Sequence, residues 1–374
     1  MSDRSRKGFS KPVELHFTRT NGPVDAAIDG LMALVGDVAH PDIVREIILA
    51  GLKAGQENGG RADLKLMNSS MKEMRFTAKV FGPYRKVRKV TVFGSARTRS
   101  DAPLYHMARD LGKNLAAAGF MVITGGGPGI MQAANEGAGP EHSFGVNIRL
   151  PFEQKPNPVL VGNPRHITYK YFFNRKVAFL KEADAVVLFP GGFGTLDEAM
   201  ESITLLQTGK LYPLPLFCID EPSGTYWDHL FNFLDDELSG HGYISHDDFG
   251  LIERVTRPAD AVARIRHFYS RYHSLRYVEN QLVIRMSTPL DPKHVATLKK
   301  GFADILIPGG EMHLSGPLAD EINESELAHL PRLVVDFNKR DFGRLRQLVD
   351  AINDLEAPAR MSEDCYSMFS RADV

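Results

Sequence analysis

A chain of 374 residues that is 43% hydrophobic and 24% charged has the make-up of a globular protein with two or three folding units. Its formal net charge of -1 gives no global pull toward nucleic acid or an anionic membrane, so any anion site must be local. Cys218 and Cys365 stand far apart and in no CxxC pattern, which argues against a disulfide framework or a thiolate zinc site, and the 13 histidines form no HExxH pattern, so no metal is expected.

In chain order, residues 1–87 read as a helical N-terminal extension, with helical spacing at Ile43, Ile47, Ile48 and Leu52 and again at Leu64, Leu66, Met71 and Met74. Its first residues, Met1 to Gly8, are polar, and nowhere does an apolar run approach the roughly 20 residues that span a bilayer. The expectation is a cytoplasmic chain, neither exported nor inserted.

Residues 88–274 change texture. Short apolar runs at Lys89–Phe93, Met121–Thr124, Ser143–Leu150, Ala185–Phe189 and Leu214–Ile219 read as strands separated by helical patterns. That alternation predicts an α/β, Rossmann-like parallel sheet with helices on both faces. A strand at Leu251–Val255 and a helix at Pro258–Tyr272 close this unit. Residues 275–374 predict a small α+β domain: strand Gln281–Met286, helix Asp291–Ile305, strand Arg332–Phe337 and helix Asp341–Asn353. Its cluster of Lys293, His294, Lys299 and Lys300 reads first as a solvated basic face on an oligomerisation or covering domain, with a vague likeness to small regulatory modules as the alternative. His241 and His246 fall in a Gly-containing loop, where surface histidines are ordinary.

Three strands run into glycine at Gly94-Ser95, at Gly125-Gly126-Gly127-Pro128-Gly129, and at Pro190-Gly191-Gly192-Phe193-Gly194-Thr195. In a parallel sheet ligands collect at the carboxyl ends of the strands, and a glycine turn into a helix lets backbone amides converge on an anion. Three such ends point to a phosphate-bearing ligand. The first strand ends in Gly-Ser-Ala-Arg rather than G-x-G-x-x-G, which disfavours a nicotinamide cofactor. Pro128 is expected in the first turn of the following helix.

Two charged residues stand out. Thr195 to Glu198 fits a capping box, with Thr195 as N-cap and Glu198 reaching back, yet a carboxylate there is also placed to touch a ribose hydroxyl or a water. Arg175 lies on a segment, 171–180, that is apolar nearly all round, with Phe172 and Phe179 on its own face. A guanidinium there needs a carboxylate or phosphate partner, or must snorkel past the rings to solvent.

Asn174-Arg175-Lys176 followed by Pro190 to Glu198 resembles the signature of the LOG ("Lonely guy") family of nucleoside 5′-monophosphate phosphoribohydrolases, over about residues 88–220. The helical extension is similar to that of long bacterial members, some labelled AMP nucleosidases. The resemblance implies hydrolysis of the N-glycosidic bond of a nucleoside monophosphate, AMP favoured, to free base and ribose 5-phosphate, without metal or organic cofactor. It places the essential arginine and glutamate on Arg175 and Glu198. Substrate binding falls on Gly94, Ser95, Gly125, Gly126, Gly127, Gly129, Asn174, Lys176, Gly191, Gly192, Gly194 and Thr195. It also implies at least a homodimer with sites near the interface. Asp197 stands where many members carry glutamate. A cytokinin riboside monophosphate is an alternative substrate, and a non-hydrolytic nucleotide sensor or carrier is the alternative from another class. The lysine decarboxylase label attached to this family would need a Schiff-base lysine; Lys176, the only one beside the site, is expected to be solvated.

Overall fold

The computed structural model describes residues 20–57, 60–151, 155–321 and 324–355. The chain divides into two compact units, residues 1–72 and 73–374. The first holds helices α1 (Pro23–Val35) and α2 (Pro41–Glu57), in which Ile28 and Leu49 are buried and the Arg45 Nε donates to Asp29 at 3.0 Å. Helix α3 (Arg61–Phe81) starts in this unit and runs on into the second. The division between the two units falls inside α3 and not at residue 87. The reason is Phe81, which is 1% exposed and stacks on Phe144 with ring centroids 4.3 Å apart.

The second unit is built on a seven-stranded parallel sheet. Its elements are β1 (Lys89–Phe93), α4 (Pro103–Ala117), β2 (Met121–Thr124), α5 (Ile130–Ala138), β3 (Ser143–Ile148), β4 (His166–Tyr169), α6 (Phe172–Lys181), β5 (Ala185–Leu188), α7 (Phe193–Gln207), β6 (Leu216–Ile219), α8 (Tyr226–Phe233), β7 (Glu253–Val255) and α9 (Pro258–Phe268). The spatial order is β4-β3-β2-β1-β5-β6-β7. The strands are buried on both faces, as all-parallel sheets require: Val90, Val92 and Val122 enter one core, Phe93, Ile123 and Phe144 the other. This is the Rossmann-like architecture expected from the alternating runs.

Beyond α9 comes an antiparallel sheet of order β10-β11-β9-β8, made of β8 (Tyr272–Val278), β9 (Gln281–Met286), β10 (Met312–Ser315) and β11 (Arg332–Val335), with α10 (Pro292–Gly301) and α11 (Phe342–Asp354). The helix read over Pro258–Tyr272 stops at Phe268, and the division expected at 274/275 cuts through β8. That strand hides because its buried residues are Tyr272, Leu275 and Val278, a spacing of three that mimics a helix, with a register irregularity between Tyr272 and Ser274. Strands β4 and β10, which end their sheets and are only partly buried, carry too little apolar pattern to announce themselves in the sequence. The two sheets share a core: Val90 and Val92 belong to the same buried cluster as Leu282, Ile284, Leu345 and Leu348.

Among the described residues no helix is long and apolar enough to cross a membrane. Cys218 is buried and Cys365 lies outside the described residues. Because Phe81 fills the joint between α3 and the sheet, Phe81→Ala is expected to destabilise the second unit by about 3–5 kcal/mol. Chemical denaturation checks this, and a loss under about 1 kcal/mol would mean that α3 is not part of this core.

Candidate active site

Strand β1 pairs with β2 on one side and β5 on the other, and α4 and α7 leave toward opposite faces of the sheet. A crevice opens at such a reversal, outside the carboxyl ends of the two strands. The glycine loops meet there. Ser95 N donates to the Pro190 carbonyl at 3.1 Å, and Ile130 N donates to the Ser95 carbonyl at 3.0 Å.

The loops approach too closely for side chains. Gly129 has φ +67°, and a Cβ on it would collide with the Ser95 carbonyl; a Cβ on Gly191 would collide with Thr195 and stand 3.0 Å from Ser95 N. Gly94 and Gly125 likewise abut Ile130 and Met131. Gly129 is the N-cap of α5, so Pro128 stands one residue outside the helix rather than in its first turn.

Part of the 125–129 loop is committed to holding itself. Gly126 N donates to Thr124 Oγ1 at 3.0 Å, the Gly126 carbonyl accepts from Asn157 N at 2.9 Å, and the Gly127 carbonyl accepts from Asn157 Nδ2 at 3.2 Å. Buried Asn135 completes this frame by accepting from Thr124 and Asn157. The other loop is open. Gly192 and Gly194 are exposed, nothing lies within 4 Å of a Cβ on either, and Gly192 is the N-cap of α7. Helix geometry leaves the first amides of α7, those of Phe193 and Gly194, without partners in their own helix. The Tyr226 hydroxyl pins this loop from behind by donating to the Gly191 carbonyl at 2.8 Å.

The start of α7 overturns the capping box. The helix begins at Phe193, so Thr195 is already inside it, with its amide donating to the Gly192 carbonyl, and no side chain caps the end. Glu198 is thereby released from the backbone. It is 3% exposed, and among the described residues neither carboxylate oxygen accepts a hydrogen bond. Its neighbours are cations: Arg175 Nη2 at 3.7 Å from Oε1 and Lys176 Nζ at 3.5 Å from Oε2.

Arg175 is 14% exposed and lies over the rings of Phe172 and Phe179, at 4.8 and 5.4 Å from their centroids. It has the carboxylate neighbour that its greasy face called for. The helix is not buried all round, however: Phe172, Phe173 and Val177 are about half exposed, while Ala178, Phe179 and Leu180 are buried. Lys176 is not solvated as expected. Its ammonium sits 2.9 Å from Asp197 and 2.7 Å from Glu201, because α6 and α7 lie side by side and Glu201 follows Glu198 by one helical turn. That spacing of three is visible in the sequence.

Asn174 turns elsewhere. It is 2% exposed, and its Nδ2 donates to Glu73 of α3 at 2.7 Å. No spacing rule links residues 73 and 174. Among the described residues no group of three or more His, Cys, Asp or Glu side chains could hold a metal ion.

Burial lifts the Glu198 carboxyl from its ordinary 4.5 to about 6, with Lys176 and Arg175 pulling the other way. Burial lowers the Arg175 guanidinium, opposed by Glu198. Burial would also lower Lys176, but its hydrogen bonds to Glu201 and Asp197 and the charge of Glu198 outweigh that and hold the ammonium above its ordinary value. Since the folded chain holds the Glu198 proton more tightly than the unfolded chain does, stability falls as pH rises from 4.5 through about 6. Above that window the ionised carboxylate costs the fold about 2 kcal/mol. Glu198→Gln is therefore expected to raise Tm by a few degrees at pH 7.5 and to leave it unchanged at pH 4. Thermal melts at the two pH values decide this, and equal melts at pH 7.5 would count against a strained carboxylate.

Comparison with known proteins bears on this arrangement. Residues 119–265 match the family described as "Possible lysine decarboxylase". The cytokinin riboside 5′-monophosphate phosphoribohydrolase LOG of Oryza sativa subsp. japonica is 30% identical over 194 residues, covering 50% of this chain and 76% of that protein. LOG3 of Arabidopsis thaliana, which bears the same activity in its name, is 28% identical over 49% of this chain and 84% of its own length. The solved molybdenum cofactor carrier protein of Chlamydomonas reinhardtii is 21% identical over 48% of this chain and 97% of its own, with a TM-score of 0.34, too loose a superposition to argue from. At this identity and coverage of the rice protein, the chain belongs to the LOG family.

Proposed function

We propose that this chain hydrolyses the N-glycosidic bond of a nucleoside 5′-monophosphate, AMP the favoured substrate, to free base and ribose 5-phosphate. The observation that carries the reading is Glu198: a buried carboxylate with no hydrogen bond to quench its charge, flanked by Arg175 and Lys176 at the sheet reversal. Glycosidic cleavage passes through an oxocarbenium-like state, and a desolvated carboxylate stabilises that positive charge or takes a proton from the attacking water. The names of the rice and Arabidopsis relatives support the same bond being cut.

The remaining parts take roles around that step. The amides of Gly192 to Gly194 at the start of α7 are suited to the 5′-phosphate, whose binding energy holds the ribose still. Arg175 keeps Glu198 ionised and in place, or meets the departing base. Lys176 balances Asp197 and Glu201. A lysine held as an ammonium by carboxylates is a poor Schiff-base nucleophile, which weighs against decarboxylation. The half-exposed Phe172, Phe173 and Val177, with the 93% exposed Phe193, support a homo-oligomer joined beside the site. Light scattering reads that directly, and a monomer would remove it.

Purified protein incubated with a panel of nucleoside monophosphates is expected to release base and ribose 5-phosphate, with adenosine turned over poorly. Equal turnover of adenosine and AMP would sink the phosphate-anchored mechanism. Saturable AMP binding without ribose 5-phosphate would make the chain a carrier or sensor instead. Arg175→Ala and Glu198→Gln should each lower kcat by about 10²–10⁴. Because Glu198 acts ionised, the rate should fall about tenfold per pH unit below about 6, and Glu198→Gln should lack that limb.

A further inference from the structure

Helix α6, which carries Arg175 and Lys176, has no cap of its own: Tyr171 at its N-cap offers no side-chain hydrogen bond. A helix start leaves amides without partners and favours negative charge. A negative charge beside this start comes from Glu73 on α3, a hundred and one residues before Asn174. One carboxylate oxygen accepts from Lys170 N at 2.6 Å, just ahead of the helix, and the other accepts from Asn174 Nδ2 at 2.7 Å, in its first turn. Glu73 shares a face of α3 with Thr77, whose hydroxyl is hydrogen-bonded to that of Tyr169 on β4, and with buried Phe81. The carboxylate is thus fixed on the same packed body that it grips.

We propose that Glu73 is a positioning residue for the active site. It braces the entry to α6 from outside and sets the rotation of its first turn, so that Arg175, the residue after Asn174, faces Glu198. Successive helical side chains point about 100° apart, so gripping both the entry and Asn174 leaves Arg175 little freedom about the helix axis. A chain cut at residue 88, where the sheet begins, would keep every glycine loop and both charged residues and still lack this grip.

The proposal rests on the hydrolytic reading of Arg175 and Glu198 only for its kinetic arm. In full-length Glu73→Ala, kcat should fall about tenfold with KM within about twofold, because the displaced group acts in the reaction rather than in binding. The acid limb of the rate should move upward, since an Arg175 that has swung away no longer helps to keep Glu198 ionised. Amides of residues 171–175 should exchange with deuterium about tenfold faster, whether or not any base is released. Glu73→Gln retains the shape and, with the Asn174 amide flipped, both bonds but not the charge, so it should show the same changes more weakly and remains informative if the alanine variant does not fold. Thr77→Val, on the same face of α3, should lower Tm while leaving kcat and the limb in place. Wild-type exchange of 171–175 in Glu73→Ala and Glu73→Gln would overturn the proposal. So would Thr77→Val matching their loss of kcat, for the effect would then be a general loosening of α3.

Discussion

The seam between β1 and β5 is the constraint on which the molecule depends, and Asp184 closes it. Its carboxylate accepts from Lys89 N at 2.8 Å and from Arg88 Nη1 at 3.1 Å, its amide donates to the Lys89 carbonyl at 2.7 Å, and its own carbonyl accepts from the Tyr269 hydroxyl at 2.7 Å. Arg88 is covered by the Tyr269 ring, 3.6 Å from its centroid, so the ion pair is sealed from water. Removing one partner of such a pair would strand a buried charge, which is why the pairing register Val90 to Ala185 is tightly specified. A slip by one residue would turn Val90 and Val92 into the wrong core and move the loops after β1 and β5 apart. The seam lies at the amino ends of the strands, and the site at their other ends inherits its alignment.

What the aligned loops present is a pair of opposite charges that the fold keeps incompletely satisfied. Glu198 and Arg175 stand 3.7 Å apart with no hydrogen bond between them, and burial disfavours the charged form of both. Structural ion pairs in interiors are normally hydrogen-bonded, as Arg88 and Asp184 are. The contrast within one molecule is between a hydrogen-bonded pair and a pair whose hydrogen-bonding capacity is unused, and the proposed function draws on the second. Stability surrendered at such a site is recovered in the two apolar layers around the sheet.

Helix α7 is held at both ends by different parts of the chain. Its start is the glycine loop. At its far end Phe342 of α11 packs where Gly209 leaves room, and Gln207 donates to Asp248 at 2.7 Å. Arg346 of α11 also donates to the Leu214 carbonyl at 3.0 Å. The antiparallel sheet and α11 therefore act as one wall of the body that fixes Glu198, and the shared core between the two sheets makes that wall stiff.

Much of this was legible residue by residue. The parallel sheet, the helices over it, the glycine loops and the anomaly of Arg175 among phenylalanines all follow from local chemistry: hydrophobic period, the conformational reach of glycine, and the cost of a charge beside apolar side chains. Strand β8 was lost because its burial repeats every three residues, and the capping box failed because α7 starts two residues before Thr195. Only the tertiary structure decided that Glu198 is free of the backbone, that Lys176 is enclosed by Asp197 and Glu201, that Asn174 answers to Glu73, and that the last part of α3, from Glu73 on, belongs with the sheet. Those outcomes depend on which elements meet in space, and no interval along the chain encodes that meeting.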